Sequence, residues 1–443
     1  MSTNPSQSVH PELTSSSVLD LMDVPMSSPD ITQAEIDSVL EVLNSRWLSM
    51  GPKIGEFETA FAQYIGLPHA VGVNSGTSGL HLAIIAAGVG PDDEVITPSF
   101  SFIASANAVL YERARPVFVD IDPVTGNMDP VALEAAITGR TRAIMPVHVF
   151  GQPPDMDAIM DIARRHNLYV IEDACEAIGA EYKGRRAGTF GDAAVFAFYP
   201  NKQITTGEGG MIVTPRDDWN TMFLSLRNQG RDVFDGWLNH TRLGYNYRLD
   251  ELSAALGEVQ MRRADDLLAK RATVAAWYNE RLAGLETVET PRVVPSTTRM
   301  SWFVYVVRVA PSVDRDGLVN RLKDKGIPSR PYFTPIHLQP FYRQRFGWGP
   351  GDLPVTEDLG ERSLALPFSS VMTETPRSRY GRPTRARIIS PASDRTRLTS
   401  GLLCRRFSTM MPTKPMRLFM GRTTPAQPGC AARRRSSSLP SES

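Results

Sequence analysis

The chain has 443 residues, of which 42% are apolar and 22% charged, and this apolar content allows a buried core divided among two or three domains. Three cysteines exclude a disulfide scaffold, and no apolar run reaches the roughly 18–20 residues that span a bilayer. Acidic and basic residues balance at 48 each, but residues 373–443 carry 14 arginines and one lysine against three acidic residues, which leaves a mildly acidic body.

Residues 1–30 are rich in serine and proline and are predicted to form a flexible N-terminal arm. They contain no basic n-region and no apolar h-region, so we expect no signal peptide and a cytoplasmic location. The spacing of apolar residues predicts an amphipathic helix from Thr32 to Trp47. A second helix is predicted after Gly55, with Phe57 and Phe61 on one face.

Short apolar runs alternate with helical patterns between residues 69 and 214. The runs are Ala70–Val73, Glu94–Thr97, Pro116–Asp120, Ala143–Val147, Tyr169–Glu172, Ala193–Phe198 and Gly210–Thr214. The helical patterns are Ser78–Ala87, Ser101–Leu110, Pro130–Ile137 and Asp155–His166. Near-continuous apolar strands alternating with helices predict an α/β domain, residues 31–264, whose mostly parallel sheet is covered on both faces.

A smaller α+β domain is predicted for residues 265–372. It follows a helical stretch, Leu249–Leu282, and contains a strand, Ser301–Ala310, and a helix, Arg315–Lys325. Residues 373–443 are rich in arginine, serine, threonine and proline, without sustained periodicity. Three interpretations of this basic tail stay open: a shifted reading frame, native disorder, or a nucleic-acid-binding tail.

Lys202 directly follows a predicted strand and precedes a turn rich in threonine and glycine. A lysine in a loop is ordinarily a solvated surface residue. The flanking residues here are apolar, aromatic or glycine, which predicts a partly buried amine. An amine held out of water loses its charge more readily and can form a Schiff base, so Lys202 is a candidate catalytic residue.

Asp173 ends the apolar strand that begins at Leu168. A carboxylate at the carboxyl end of a buried parallel strand lies at the edge where open α/β sheets bind ligands, although it could also cap a helix. A pyridoxal phosphate (PLP) site needs an acid in such a position. The carboxylate keeps the pyridine nitrogen protonated, and the protonated ring then accepts electrons.

The segment VNSGTSGL, residues 73–80, links a strand to a helix. Gly76 permits a close backbone approach, and Thr77 and Ser78 begin a helix whose free N–H groups can bind phosphate, although ordinary strand-to-helix turns look similar. The segment is neither a Walker loop nor a dinucleotide fingerprint. Phe102, after the next strand, could stack on a flat ring or simply pack in the core. Phosphate turn, aromatic residue, acid and lysine together describe a PLP site.

Six sequence blocks resemble those of the DegT/DnrJ/EryC/StrS sugar aminotransferases. They are SGTSGLHLA, TPSFSFIASANAV, DIDPVTGNMDP, VIEDACEAIGAEYKGRRAGTFGD, FAFYPNKQITTGEGGMIVT and RLGYNYRLDELSAALGEVQ. The resemblance covers about Thr32–Met372 and implies a PLP-dependent transferase of fold type I. It also implies transfer of an amino group, with glutamate as the expected donor, to a nucleotide-linked keto-sugar for lipopolysaccharide O-antigen, other surface polysaccharide or amino-sugar biosynthesis.

The resemblance also implies roles for individual residues. Lys202 would bind the cofactor covalently, and Asp173 would face its pyridine nitrogen. Gly76 and Thr77 would bind its phosphate, and Phe102 would stack on its ring. Because the catalytic lysine is present, rather than the histidine of some relatives that catalyse a dehydration, transamination is favoured.

Three further residues are carried over from the resemblance. Asn246, in the GYNYR block, would reach the phosphate of the neighbouring subunit, which implies a homodimer with shared active sites. Arg248 in the same block and His337 in TPIHLQPFY match positions that line the substrate cleft. We predict no metal site and no nucleic-acid or membrane partner for the enzyme.

The chain departs from the family pattern at three places. Ala197 replaces a serine that binds phosphate in many members. Glu176 replaces a glutamine beside the cofactor's phenolic oxygen, where two negative oxygens would repel, so we predict that Glu176 is protonated or donates through water. The usual final helix is absent after Met372. The block EDACEAIGA, which contains Glu176, resembles the GDP-perosamine synthases, which aminate C4 of a 4-keto-6-deoxymannose nucleotide.

Two alternative functions stay open at this point. One is another fold-type-I PLP enzyme, such as a decarboxylase or a cysteine desulfurase, although Cys175 lies in a strand–helix junction and would be a poor persulfide carrier. The other is a PLP-binding homologue that is inactive or regulatory.

Overall fold

The alternating segment folds into one seven-stranded sheet. The structure is a computed structural model that describes residues 25–233 and 239–374, together with the backbone of residues 411–412. Its strands are β1 (His69–Val73), β2 (Glu94–Pro98), β3 (Arg115–Val119), β4 (Thr141–Ile144), β5 (Tyr169–Asp173), β6 (Glu181–Tyr182), β7 (Arg185–Arg186), β8 (Ala193–Ala197), β9 (Gly210–Thr214), β10 (Val288–Glu289), β11 (Thr297–Arg299), β12 (Tyr305–Val309), β13 (Ser363–Leu366), β14 (Met372–Thr373) and β15 (Met411–Pro412).

The order across the large sheet is β1-β9-β8-β5-β4-β2-β3. Neighbouring strands are parallel except in the two pairs that contain β9. The prediction of an α/β domain with a mostly parallel sheet is therefore confirmed.

Helices cover both faces of this sheet. The α-helices of the described residues, in both domains, are α1 (Gln33–Ser45), α2 (Pro52–Ile65), α3 (Gly76–Ala86), α4 (Ala104–Tyr111), α5 (Pro130–Ala135), α6 (Met156–His166), α7 (Asp217–Arg227), α8 (Glu251–Arg262), α9 (Ala264–Leu282), α10 (Arg315–Lys323), α11 (Pro340–Phe346) and α12 (Pro354–Arg362). Helices α3 and α7 contribute to the apolar core on one face, and α2 and α8 to the core on the other. Burial on both faces explains why the strands are almost continuously apolar.

The carboxyl ends of β1, β2, β5 and β8 lie at the same edge of the sheet because these strands run in the same direction. The phosphate turn, Phe102 and Lys202 lie in the loops after β1, β2 and β8, and Asp173 is the last residue of β5. Ligands of open α/β sheets bind at this edge. The topology therefore brings together residues that are more than 120 positions apart in the chain.

The smaller unit is built on the antiparallel sheet β10-β12-β13. Its core contains apolar residues of α9, α10 and these strands. The strand predicted from Ser301 begins only at Tyr305. The residues before Tyr305 instead lie alongside the 3-10 helix Val149–Gly151 of the large domain. Ser301 N–H donates to the carbonyl of Gly151 at 3.0 Å, and Phe303 N–H donates to the carbonyl of Phe150 at 3.2 Å.

The last residues of the predicted flexible arm are anchored. The Asp30 carboxylate pairs with Arg263 at 2.8 Å and with Lys270 at 2.9 Å. The carbonyl of Met26 accepts a hydrogen bond from Phe368 N–H at 2.9 Å. Residues 25–30 thus connect to α8, α9 and the smaller unit, and the prediction that all of 1–30 is loose is wrong for this part.

Residues 1–24 of the arm and most of the basic tail, 375–410 and 413–443, lie outside the described residues. The three interpretations of the tail therefore stay open. The backbone of β15, within the tail, pairs antiparallel with β14. In the part of the chain that the structure describes, every helix is too short or too polar to cross a bilayer.

Candidate active site

Lys202 lies in the loop after β8 with a side chain that is 13% exposed. Its Nζ is 3.5 Å from Oε1 of Glu176 and 3.9 Å from the centre of the Phe303 ring. The amine thus lies between a carboxyl group and an aromatic face and is largely shielded from water, as the flanking sequence predicts.

Asp173 ends β5 and is 6% exposed. Its Oδ2 accepts a hydrogen bond from the Ser105 hydroxyl at 2.7 Å, and its Oδ1 accepts one from Cys175 N–H at 3.2 Å. No helix begins within residues 174–180, so the alternative that Asp173 caps a helix is wrong. Two donors fix the carboxylate at the sheet edge, and the geometry leaves it available to a ligand there.

The phosphate turn has the geometry that the sequence predicts. Ser75 caps α3 by accepting a hydrogen bond from Ser78 N–H at 3.1 Å, and Thr77 lies in the first turn. A helix start leaves such early amide groups without intrahelical acceptors. A Cβ on Gly76 would come within 2.7 Å of Ala197 Cβ and 2.9 Å of Cys175 Sγ. Only glycine therefore lets this turn lie so close to the residues that follow β5 and β8.

Cys175 lies at the centre of this arrangement. Its backbone N–H donates to the Asp173 carboxylate. Its sulfur lies so close to Gly76 that a Cβ at that position would be 2.9 Å away. Burial raises the pKa of its thiol well above the ordinary value, and the charge of Asp173 adds to this effect. A thiol that stays protonated is a poor nucleophile, which is evidence against the cysteine desulfurase alternative.

Glu176 is 6% exposed, and burial raises the pKa of its carboxyl group. The charge of Lys202 and a hydrogen bond from Phe150 N–H, 2.9 Å from Oε2, oppose this shift without cancelling it. The nearby charge of Asp173 acts in the same direction as burial. A raised pKa favours the neutral carboxyl group, and the prediction that Glu176 is protonated or donates through water stays a prediction.

Glu176→Gln should stabilise the cofactor-free protein increasingly as the pH rises. The unfolded glutamate titrates near 4.5, whereas the raised pKa of Glu176 places the folded transition at higher pH. The wild type therefore loses stability as the pH rises through the folded pKa, and the glutamine variant does not. We expect a melting temperature roughly 1–3 °C above wild type at pH 8 and no difference at pH 4.

The control is Glu208→Gln, at an exposed position of the loop that also carries Lys202. Its melting temperature should follow that of the wild type throughout. A difference between Glu176→Gln and wild type that is constant with pH would contradict the assignment.

Phe102 is 62% exposed, although it lies next to the Asp173 site. Its carbonyl oxygen lies 3.2 Å from the Ser105 hydroxyl oxygen, and that hydroxyl donates its proton to Asp173 at 2.7 Å. Core packing is therefore not the role of this ring. An exposed aromatic face beside the acid fits the predicted stacking on a cofactor, which stays a prediction.

The GYNYR block runs beside the phosphate turn. Asn74 N–H donates to the carbonyl of Tyr247 at 2.9 Å. The backbone of Arg248 pairs in an isolated antiparallel β-bridge with Val73, the last residue of β1. Arg248 Nη1 donates to the Asn228 side chain at 3.0 Å. Asn246 is exposed, so its side chain is accessible to a second protomer. The predicted roles of Asn246 and Arg248 stay predictions.

His337 differs from the other predicted site residues because it is fully buried. Its Nδ1 lies 2.7 Å from the Ser99 hydroxyl, and its Nε2 lies 3.1 Å from Oε1 of Glu357. Both ring nitrogens are thus engaged within the protein. In this geometry His337 fixes the segment around residue 337 to the end of β2, and it presents no free nitrogen to a substrate.

Comparisons with known proteins agree with this geometry. Residues 29–379 match the DegT/DnrJ/EryC1/StrS aminotransferase family. The chain belongs to this family. It is 46% identical to the GDP-perosamine synthase of Caulobacter vibrioides over 80% of this chain and 95% of the relative. It is 40% identical to the spore coat polysaccharide biosynthesis protein SpsC of Bacillus subtilis, over 79% of this chain and 93% of the relative.

Solved structures of the aminotransferase family have the same fold. DesV of S. venezuelae, in complex with a ketimine intermediate, is 38% identical and superposes with a TM-score of 0.73 over 79% of this chain and 94% of DesV. The PLP form of the sugar aminotransferase Spr1654 from Streptococcus pneumoniae is 29% identical, with a TM-score of 0.75 over 78% and 94% of the two chains. The predictions of fold type I, of a PLP-dependent nucleotide-sugar aminotransferase and of PLP as cofactor are confirmed.

The residues present fit this cofactor. The site combines a shielded amine at Lys202, a carboxylate fixed by two donors at Asp173, and a helix start at Gly76 with no Cβ to obstruct it. These groups match an aldehyde, a pyridine nitrogen and a phosphate, respectively.

Sequence reasoning missed several residues that support the site. Ser105 lies three positions after Phe102, but its contact with Asp173 spans 68 residues, so no local pattern connects the two. Arg271 lies on the buried face of α9, among apolar positions spaced three and four apart, where an arginine is unusual. Phe303 carried no local signal, because its contact with Lys202 spans about a hundred residues.

Proposed function

We propose that this aminotransferase acts in the cytoplasm as a homodimer. In this proposal it moves an amino group from glutamate to C4 of a 4-keto-6-deoxy sugar carried on GDP, for polysaccharide or amino-sugar biosynthesis. The convergence of Lys202, Asp173 and the Gly76 turn at one sheet edge carries the proposal. The identity to the perosamine synthases of C. vibrioides (46%) and E. coli O157:H7 (39%) supports the choice of sugar.

PLP, when bound, supplies a carbonyl carbon for the amine and a ring that accepts electrons. Asp173, fixed by Ser105 and Cys175 N–H, would hold the protonated ring nitrogen. The backbone N–H groups of the first turn of α3 would hold the phosphate.

Lys202 performs two tasks in the proposed reaction. Its Nζ would hold the cofactor covalently between turnovers, and as a free amine it would remove and return a proton as a general base and acid. Glu176 lies 3.5 Å away, and burial raises the pKa of its carboxyl group, which favours the neutral form. It can therefore donate a hydrogen bond to the cofactor's phenolic oxygen instead of repelling it.

The substrate proposal is tested with GDP-, UDP- and dTDP-linked 4-keto and 3-keto sugars, each incubated with glutamate. We expect the GDP-linked 4-keto-6-deoxy sugar to give the highest kcat/KM and a product whose mass shows that a carbonyl became an amine. Release of 2-oxoglutarate, without sugar, at one equivalent per site would identify the donor. A strong preference for a 3-keto or a UDP-linked sugar would contradict the proposed substrate.

Exposed apolar side chains support the homodimer. Ile36, Leu40, Leu43 and Trp47, on α1 and just after it, are each more than 40% exposed in the single chain. Such a contiguous apolar patch indicates a protein interface. Asn246, exposed beside the phosphate turn, is placed to contribute to a partner's site.

Shared sites predict that two inactive variants complement each other. Asn246→Asp should reduce activity strongly, because its carboxylate would repel the partner's phosphate, and Lys202→Ala should be inactive. Random mixing of the two subunits should restore about a quarter of wild-type activity, because half of the symmetric dimers then contain one intact site. If the mixture were no more active than the two variants measured separately, the proposal of shared sites would be contradicted.

A further inference from the structure

The Lys202 amine makes a second contact besides its approach to Glu176. Its Nζ lies 3.9 Å from the centre of the Phe303 ring. Phe303 is 2% exposed, so the contact is shielded from water. A cation over an aromatic face within about 6 Å is attracted by the ring's quadrupole, most strongly where water is excluded.

The position of Phe303 is fixed by the protein rather than by the lysine. Its N–H donates to the carbonyl of Phe150 at 3.2 Å. Its side chain belongs to a buried cluster with Val304, Val306 and Ala365, against which Met26 packs. The ring therefore forms a fixed surface beside a lysine side chain that changes partners during the reaction.

Arg271 connects the two sides of this contact. Its guanidinium donates to the carbonyl of Phe303 at 3.0 Å and to the carbonyl of Lys202 at 2.8 Å. Arg271 is 1% exposed, and burial lowers its pKa to about 10. Within the described residues no carboxylate pairs with it. Among the described residues its hydrogen bonds all go to backbone carbonyl groups, so Arg271 links the lysine loop to the Phe303 segment, while its guanidinium also lies over the Phe368 ring at 5.6 Å.

We propose that Phe303 holds the Lys202 ammonium group whenever this amine is detached from the cofactor, and that Arg271 sets the distance between them. The inference rests on the proposed function, since it requires Lys202 to be the catalytic lysine. The Glu176 carboxyl group also faces this amine, at 3.5 Å, so the ring gives the amine a second contact and a defined resting place. Phe303 is thereby a positioning residue for proton transfer by Lys202.

The test measures the reactivity of Lys202 in cofactor-free protein, independently of turnover. Full-length wild type, Phe303→Leu and Phe303→Tyr are treated with trace acetic anhydride at pH 7.5, and acetylation of Lys202 is quantified by mass spectrometry relative to Lys183. Leucine keeps an apolar surface but removes the ring, so the amine is no longer held against an aromatic face. We expect acetylation of Lys202 to be roughly 3- to 10-fold faster in the leucine variant. The tyrosine variant should react like wild type.

Melting temperatures establish that each variant is folded, and Phe303→Met replaces the leucine variant if that protein does not fold. Equal Lys202 reactivity in wild type and the ring-free variant would overturn the inference. Equal acceleration in the tyrosine variant would overturn it as well, because packing rather than the ring would then be responsible.

Borohydride reduction of the wild-type holoenzyme separates this inference from the proposed function. If the cofactor becomes fixed to Lys202 while ring removal changes nothing, only the role of Phe303 fails. If the cofactor is not fixed to Lys202, the proposed function fails regardless of the acetylation result.

Discussion

Lys202→Ala should reduce kcat by at least roughly 10³- to 10⁴-fold, because one nitrogen is both the covalent attachment point and the general acid and base. The Asp173 carboxylate and the phosphate turn lie on other elements and remain intact. The variant should therefore still bind PLP, but without the visible absorbance band of the lysine-bound cofactor. Steady-state kinetics and an absorbance spectrum measure both expectations.

Lys183→Ala is the matched control. This lysine has a side chain that is 58% exposed and pairs with Asp157 on the surface. Its removal should leave kcat, KM and the spectrum unchanged. Turnover by Lys202→Ala above about 1% of wild type would contradict the catalytic role, because general acid–base catalysis alone contributes more than this.

Asp173→Asn is expected to have the second-largest effect, a loss of roughly 10²- to 10³-fold in kcat. Asparagine keeps the shape, and its single amide oxygen can still accept the hydrogen bond from Cys175 N–H, while its NH2 group faces the oxygen of the Ser105 hydroxyl. It lacks the negative charge that keeps the pyridine nitrogen protonated, so electrons from the substrate carbon are accepted less well. The KM for the sugar should change little, since the charge acts on the reacting state rather than on sugar binding.

Two further variants serve as comparisons for Asp173→Asn: one should lose less activity and the other should lose none. Ser105→Ala removes one of the two hydrogen bonds to Asp173 and should cost roughly 2- to 10-fold in kcat. Asp161→Asn, on the exposed face of α6 with a side chain that is 55% exposed, should have no effect. A larger loss in Ser105→Ala than in Asp173→Asn would show that local structure, and not the charge of Asp173, is responsible.

The strands and the residues at their ends could be predicted from the sequence because both depend on local pattern. Each apolar run of the large sheet is a strand within one to three residues of its expected bounds. The chemistry of Lys202 and Asp173 follows from their place directly after such runs. A parallel sheet then brings them to one edge, whatever the lengths of the intervening helices.

Short helices and long-range contacts could not be predicted in the same way. Helices α11 and α12, of 7 and 9 residues, are missed, whereas α5 and α10, of 6 and 9 residues, are predicted; so few residues give only a weak 3.6-residue period, and its recognition is uneven. Helix α4 begins at Ala104 rather than Ser101 because the preceding residues form the turn that carries Phe102. The burial of His337 depends on Ser99 and Glu357, which no local pattern connects with it.

Reduction of the holoenzyme with sodium borohydride, followed by digestion and peptide mass spectrometry, tests the central claim most directly. The account predicts that the added pyridoxyl phosphate mass is found on Lys202, in stoichiometric amount, in the peptide that follows β8. Modification of a different lysine, with Lys202 unmodified, would contradict it.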